Sequence, residues 1–207
     1  MPIRLKNTDT VFFPVPKCAS TSIKAALLKE AQPELFTVSS DGTEQRPNVH
    51  LHFPEARELR FSDRFRYRGE WLCIVRHPFE RFMSGFRDRV NKTRDLAKDG
   101  VTGLPLQPSV EEFAENIAAY MVASQSIRHH FQPMTYFIGR KPSRFRHIYN
   151  MGQLAELIEL LGNRGLDLKL RHDRRSSGPS PLLSSQTQTK LEDIYKDDFR
   201  YWSRYFS

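Results

Sequence analysis

Thr10-Val11-Phe12-Phe13-Pro14-Val15-Pro16-Lys17-Cys18-Ala19-Ser20-Thr21-Ser22 is the stretch on which the fold turns. Its first six residues are β-branched or aromatic and end in prolines, the pattern of a short buried strand. Ile23, Ala26, Leu27 and Ala31 then recur at helical spacing, so the stretch from Ser22 to Ala31 reads as a helix. Between strand and helix lies a turn of small and hydroxyl residues with one lysine. In an open α/β sheet, ligands collect where strands run out into helices. The free N–H groups of the helix start, with its partial positive charge, make a seat for phosphate or sulfate. Lys17 adds a cation, Ser20, Thr21 and Ser22 add hydroxyls, and small side chains at Cys18 and Ala19 let the backbone close on an anion. The plainer alternative is an ordinary strand–helix turn with a Ser/Thr cap.

Working outward, the same grammar repeats. Trp71–Val75 is a second buried strand, followed by Pro78 in the position that suits a first helical turn and by a stripe of Phe79, Phe82, Met83 and Phe86. Phe145–Asn150 reads as a third strand, with a helix over Met151–Leu161. Ser109, with Glu111 and Glu112 behind it, opens a helix to about Ser124, and Thr187 to about Tyr201 closes the chain as an amphipathic helix. Val38–Asn48 reads as a loop, Asp95–Pro108 as a mobile excursion, and Leu170–Ser185 as a basic Ser/Pro-rich loop. Strands alternating with helices predict one α/β domain over residues 1–207, its sheet largely parallel with helices on both faces.

Composition narrows the class. A length of 207 residues suits a single domain, and 39% hydrophobic content with 15 Phe is enough for a core, which excludes wholesale disorder. No apolar run is long enough to span a bilayer, and Met-Pro-Ile-Arg-Leu-Lys holds no signal-like region; a cytoplasmic protein without membrane partners is the expectation. Two cysteines give neither a disulfide framework nor a zinc site, and no His/Asp/Glu cluster has ligand spacing, so no metal is expected. The net charge of +8 points to an anionic partner. The excess concentrates in 57–94, with eleven Lys/Arg against five Asp/Glu, and in 140–175, with nine against four. Each window adjoins a strand-to-helix transition.

The second such transition reads Arg76-His77-Pro78-Phe79-Glu80-Arg81-Phe82-Met83-Ser84-Gly85-Phe86-Arg87. Arg76 ends the strand and Ser84 lies two turns into the helix. A guanidinium and a hydroxyl so placed can share one tetrahedral anion, the planar fork of arginine suiting phosphate. Alone, the two would equally read as a salt-bridged arginine and a surface hydroxyl. The glycines of an NTPase phosphate loop are absent, since no glycine precedes Gly42 and the lysine opens the loop rather than closing it.

Taken together, Pro-Lys-Cys-Ala-Ser-Thr-Ser after one strand and Val-Arg-His-Pro-Phe-Glu-Arg-Phe-x-Ser-Gly-Phe-Arg-Asp after a later one resemble the sulfotransferases that use 3'-phosphoadenosine 5'-phosphosulfate (PAPS). The resemblance is closest to the carbohydrate sulfotransferases and their bacterial relatives. It implies a P-loop-NTPase-like sulfotransferase architecture and in-line transfer of a sulfuryl group from PAPS to a hydroxyl-bearing acceptor such as a carbohydrate. It places the 5'-phosphosulfate on Lys17, Cys18, Ala19, Ser20, Thr21 and Ser22, and the 3'-phosphate on Arg76 and Ser84. His130-Phe131-Gln132-Pro133 is similar to a His-x-x-Pro-Gln segment of the family, with Met134 where Gln is common; Ile194–Phe199 is similar to its C-terminal helix. Ser176, within Arg174–Ser177, falls where relatives close a serine loop on the nucleotide.

Such a transfer needs a group to take the acceptor's proton, and a histidine near neutrality is the natural one. His50 and His52 share a side if Asn48–Phe53 is extended. The resemblance implies a histidine base at about this distance before the Arg-x-Pro strand, giving His52 as first choice and His50 as second, with Lys17 neutralising charge on the bridging oxygen. The same +8 would suit a polyanion- or nucleic-acid-binding protein, but no common binding motif is present and the aromatics belong to strand and helix cores. A nucleotide-dependent kinase is disfavoured by the missing Walker lysine and the lack of an obvious magnesium-binding aspartate. The oligomeric state is not legible.

Overall fold

The computed structural model describes residues 2–41, 44–53, 67–170 and 183–206. Strand β1 is Ile3–Arg4 and β2 is Thr10–Phe13, the latter buried at every position. Helix α1, Ser20–Ala31, starts two residues earlier than its apolar spacing predicts and stops before Pro33. The predicted loop Val38–Asn48 instead contributes to a small antiparallel pair, β3 (Thr37–Val38) with β4 (Glu44–Gln45). These strands are two residues long and mostly exposed, so they carry no apolar alternation to read.

Strand β5, Glu70–Ile74, lies parallel to β2 with Thr10 opposite Glu70 and Phe13 opposite Cys73. Helix α2, Pro78–Gly85, begins with Pro78 in its first turn, and His77 Nδ1 accepts the Phe79 N–H at 3.3 Å as its cap. Its apolar stripe continues into a π-helix over Phe86–Lys92. Gly85 is where the ring of Phe131 crosses: a Cβ there would sit 2.9 Å from the Phe131 ring.

The predicted excursion Asp95–Pro108 is instead built into the fold. It holds α3, Asp95–Lys98, and buries Leu96 and Val101, while the Tyr120 hydroxyl donates to the Pro105 carbonyl at 2.8 Å. The predicted helix from Ser109 divides at Asn116 into α4 (Val110–Glu115) and α5 (Ile117–Ala123); Ser109 and Glu112 form a reciprocal capping box. Helices α6 (Gln125–Phe131) and α7 (Met134–Ile138) follow, then β6 (His147–Tyr149), which pairs parallel to β5, and α8 (Leu154–Gly162). The closing helix is likewise two, α9 (Ser185–Ile194) and α10 (Lys196–Trp202), parted at Tyr195, whose hydroxyl donates to the Phe131 carbonyl.

Among the described residues the main sheet runs β1-β2-β5-β6, only β1 being antiparallel to its neighbour. It is the mostly parallel, helix-flanked α/β sheet the alternation predicts. One core lies on the sheet, where α1, α7, α8 and α10 pack against Phe12, Phe13, Leu72 and Ile74; a second gathers mostly helical residues around Phe82, Phe113 and Phe131, and a small third joins Ala25 and Leu28 to Val49.

At the strand starts, Glu70 accepts from Arg164 at 2.6 Å and lies 3.0 Å from His147 Nε2. These hydrogen bonds, that of His147 first, hold the Glu70 carboxyl below the ordinary 4.5. A carboxyl with a lowered folded pKa stabilises the fold above its unfolded pKa, and that contribution is lost as pH falls through the folded value. Glu70→Gln is therefore expected to melt below the parent protein at pH 6, with the gap narrowing as melting is repeated below pH 4.5. A gap that is constant across that range would sink the assignment.

Candidate active site

The carboxyl ends of β2 and β5 open into a cavity of about 690 Å³. The turn after β2 is unusual in its backbone. Lys17 and Ala19 both have positive φ, 66° and 53°, the left-handed region that residues with a Cβ rarely occupy. Each such residue costs on the order of 1–3 kcal/mol, and strain of this kind clusters where a ligand is gripped. A turn that alternates handedness can point backbone N–H groups at one concave side, a form that binds anions. The Ile23 N–H already bonds to the Ala19 carbonyl, so α1 begins at once, and its first-turn N–H groups have no carbonyl within the helix to bond.

Lys17, Ala19, Ser20, Thr21 and Ser22 all line the cavity, and from the second strand–helix unit so do Arg76 and Ser84. The two units are tied together, since Arg76 Nη1 reaches the Lys17 carbonyl at 3.5 Å while its Nε pairs with Glu80 at 3.3 Å. Cys18 is not brought to the opening. Its side chain is buried in the core, its N–H donates to the Val15 carbonyl, and burial pushes its thiol up to about 12, which leaves it no role as a nucleophile.

The two histidines of the His-x-His segment part company. His50 lines the large cavity; His52 is exposed and borders a separate groove of about 250 Å³ beside Ile3, Leu27 and Phe53. The segment turns at Asn48–His52 rather than running extended, so the two side chains do not share a side. Ser176 lies outside the described residues.

The wall also holds Lys24, Asp88, Arg89, His129 and His130, to which the sequence assigns no site role although Asp88 and His130 stand in segments quoted above. Helical spacing was the available signal, for Lys24 lies one turn beyond Ser20, and Asp88 one turn beyond Ser84. His129 is pulled down to about 4, first by burial and then by Lys24, His50, Arg89 and Arg81. His130 is pulled well below its ordinary value, again by burial first. Its Nδ1 lies 2.8 Å from the Ser126 carbonyl, so the neutral ring donates from Nδ1 and leaves Nε2 bare. Beneath the floor, buried Arg81 donates to the carbonyls of His130 at 3.0 Å, Gln132 and, at 3.5 Å, Pro16. Among the described residues no group of three or more His, Cys, Asp or Glu could hold a metal ion, and no helix is long and apolar enough to cross a membrane.

A cationic, hydroxyl-lined cavity between two strand–helix turns can hold an anion with phosphate or sulfate groups and keep an imidazole beside it. A family model described as "Sulfotransferase family" matches the chain over residues 4–205. The chain belongs to that family. Searches of curated proteins and of solved structures return no match to it. The chemistry of a sulfotransferase is sulfuryl transfer to a hydroxyl-bearing acceptor, and in this sulfotransferase the match takes in both strand–helix turns and the cavity between them.

Proposed function

We propose that the protein transfers a sulfuryl group from PAPS to a hydroxyl of a carbohydrate, with His50 as the general base. The observation that carries this reading is the convergence of Lys17, Ser20, Thr21, Ser22, Arg76, Ser84 and His50 on one cavity. These donors fit an anion with two separate phosphate-type groups. Lys17, the hydroxyls of Ser20–Ser22 and the start of α1 would hold the 5'-phosphosulfate. Arg76 and Ser84 would hold the 3'-phosphate. PAPS, when bound, supplies the sulfuryl group and departs as 3'-phosphoadenosine 5'-phosphate (PAP).

His50 takes the proton of the acceptor hydroxyl. Lys17 offsets the charge that grows on the oxygen leaving the sulfur, a contribution of the electrostatic kind that is large where water is kept out. The apolar side of the cavity, with Pro14, Phe137, Met151, Leu154 and Ile158, limits water there and offers flat faces to a sugar or a base. That the acceptor is a carbohydrate rests on the likeness of the two motifs to carbohydrate sulfotransferases. Loss of His52 from the cavity wall is the reason the base is assigned to His50 rather than to its neighbour.

The test is a melting curve with PAP, with ADP as control and no magnesium. PAP at a hundredfold over its Kd should stabilise by about 2.7 kcal/mol, a shift of roughly 5–10 °C for a chain of this size. Arg76→Ala should weaken PAP about 30-fold or more, since truncating one side of a buried charge-assisted contact costs about 2–5 kcal/mol. A shift with ADP equal to that with PAP would overturn the assignment of the 3'-phosphate. Transfer of label from [35S]PAPS to a panel of polysaccharides and sugar glycosides then reads the acceptor class.

A further inference from the structure

The walls of this cavity suit an anion, yet a carboxylate stands among them. Asp88 Oδ2 is 2.7 Å from Lys17 Nζ and 3.2 Å from Arg89 Nη2, and the Lys17 and Asp88 side chains are only 15% and 20% exposed. A negative charge in that place repels an anionic ligand, so its presence calls for a reason.

The backbone shows how it is placed. In an α-helix the residue four beyond Ser84 shares its face. The helix passes into π register at Phe86–Lys92, where the repeat is five, and both Asp88 and Arg89 line the cavity with Ser84. Arg89 is anchored in turn to Asp95 at 3.6 Å, and buried Asp95 accepts from the hydroxyls of Thr93 and Ser126. Asp88 thus sits on a braced support, aimed at the one lysine of the anion-binding turn.

Resting on the sulfotransferase reading above, we propose that Asp88 is the positioning residue for Lys17. It holds the flexible ammonium at a fixed point on the rim of the left-handed turn through their 2.7 Å ion pair. The ammonium is then in place when charge develops on the leaving oxygen, and it does not settle on whichever ligand oxygen is nearest. Asp88 itself touches no reacting atom.

The experiment compares the parent protein with Asp88→Asn and Asp88→Glu. In ligand-free protein at pH 8, the acetylation of Lys17 by an N-hydroxysuccinimide ester is followed by mass spectrometry. Asp88→Asn should speed acetylation of Lys17 about tenfold, because the amine is no longer held in a charge-assisted hydrogen bond, with other lysines unchanged. Its PAP Kd should stay within about threefold of the parent, or tighten, while turnover on the best acceptor of the panel falls by about tenfold or more. Asp88→Glu, with the charge kept on a longer arm, should label like the parent and turn over at an intermediate rate.

Unchanged Lys17 labelling in Asp88→Asn overturns the proposal. So does a loss of PAP affinity in step with turnover, which marks a merely structural role. If Asp88→Asn does not fold, parental turnover in Asp88→Glu overturns it. Failure of the parent itself to bind PAP or transfer sulfate strikes the functional reading instead, while the labelling still reports on Asp88 and Lys17.

Discussion

Arg81→Met is expected to lower the melting temperature by about 6–20 °C. Arg81 is 1% exposed, and its guanidinium serves parts of the chain that are far apart in sequence. It donates to the carbonyls of Pro16, His130 and Gln132, and it stacks over the Tyr195 ring at 5.6 Å. Buried Asp198 lies within its electrostatic reach while accepting the N–H groups of Met134 and Thr135 at 2.7 and 2.8 Å. Burial raises the Asp198 pKa although Arg81 opposes it, so without the arginine the carboxylate loses its main buried counter-charge.

Leaving a buried acceptor without its donor costs about 1–3 kcal/mol, so the carbonyls given up together with the opposing charge cost about 3–5 kcal/mol, and each kcal/mol moves the melting point of a chain this long by about 2–4 °C. Methionine fills the space and supplies no donor, so the loss is one of charge and hydrogen bonds rather than of volume. A thermal melt by circular dichroism reads it directly. A drop of less than about 3 °C would mean that Arg81 is not the tie described. Arg81→Lys should recover little, because a single ammonium cannot face several carbonyls set around a planar fork.

His50→Ala should cut turnover by about 10²–10⁴, the range for loss of a general base, while His52→Ala should leave it within about threefold. The contrast follows from where the two rings lie, one on the cavity wall and the other on the small groove beside Leu27 and Phe53. Neither change should alter PAP affinity by more than a few-fold, since neither ring belongs to the set proposed to hold the phosphates. The decisive comparison is turnover at saturating PAPS with one acceptor from the panel. Equal losses in the two variants, or the larger loss in His52→Ala, would reverse the assignment.

The parts of the fold that could be read from the sequence are those where one local rule governs. Thr10–Phe13 and Leu72–Ile74 are runs of buried residues, and both are strands; Pro78 and Ser109 start helices as their chemistry dictates. The helix breaks at Asn116 and Tyr195 were not legible, because no proline or glycine marks them. Asn116 leaves the helix with its side-chain amide on the Glu112 carbonyl, and Tyr195 turns where its hydroxyl meets the Phe131 carbonyl. Only the second of these depends on a distant partner, and neither carries a composition signal.

The candidate site divides the same way. Lys17, Ser20–Ser22, Arg76 and Ser84 follow from strand–turn–helix logic, which fixes where the ends of parallel strands point. His50 against His52 depended on the path of an irregular segment. Two histidines separated by one residue share a side only in an extended chain, and this one bends. Asp88 follows from helical spacing after Ser84, whereas the place of Arg89 beside it depended on a π register that no spacing rule anticipates.

The arginine under the cavity floor also bears on how the protein is made. Its partners at Tyr195 and Asp198, and the Trp202 indole that donates to the Gly139 carbonyl at 2.8 Å, leave a ribosome long after Lys17 and Ser20–Ser22 do. During synthesis the turn after β2 therefore waits, with its strained backbone unbraced, until α10 has emerged and docked. The cavity is assembled late although half of its donors are synthesised early, and a chain stalled before Tyr195 would carry those donors without the floor that holds them.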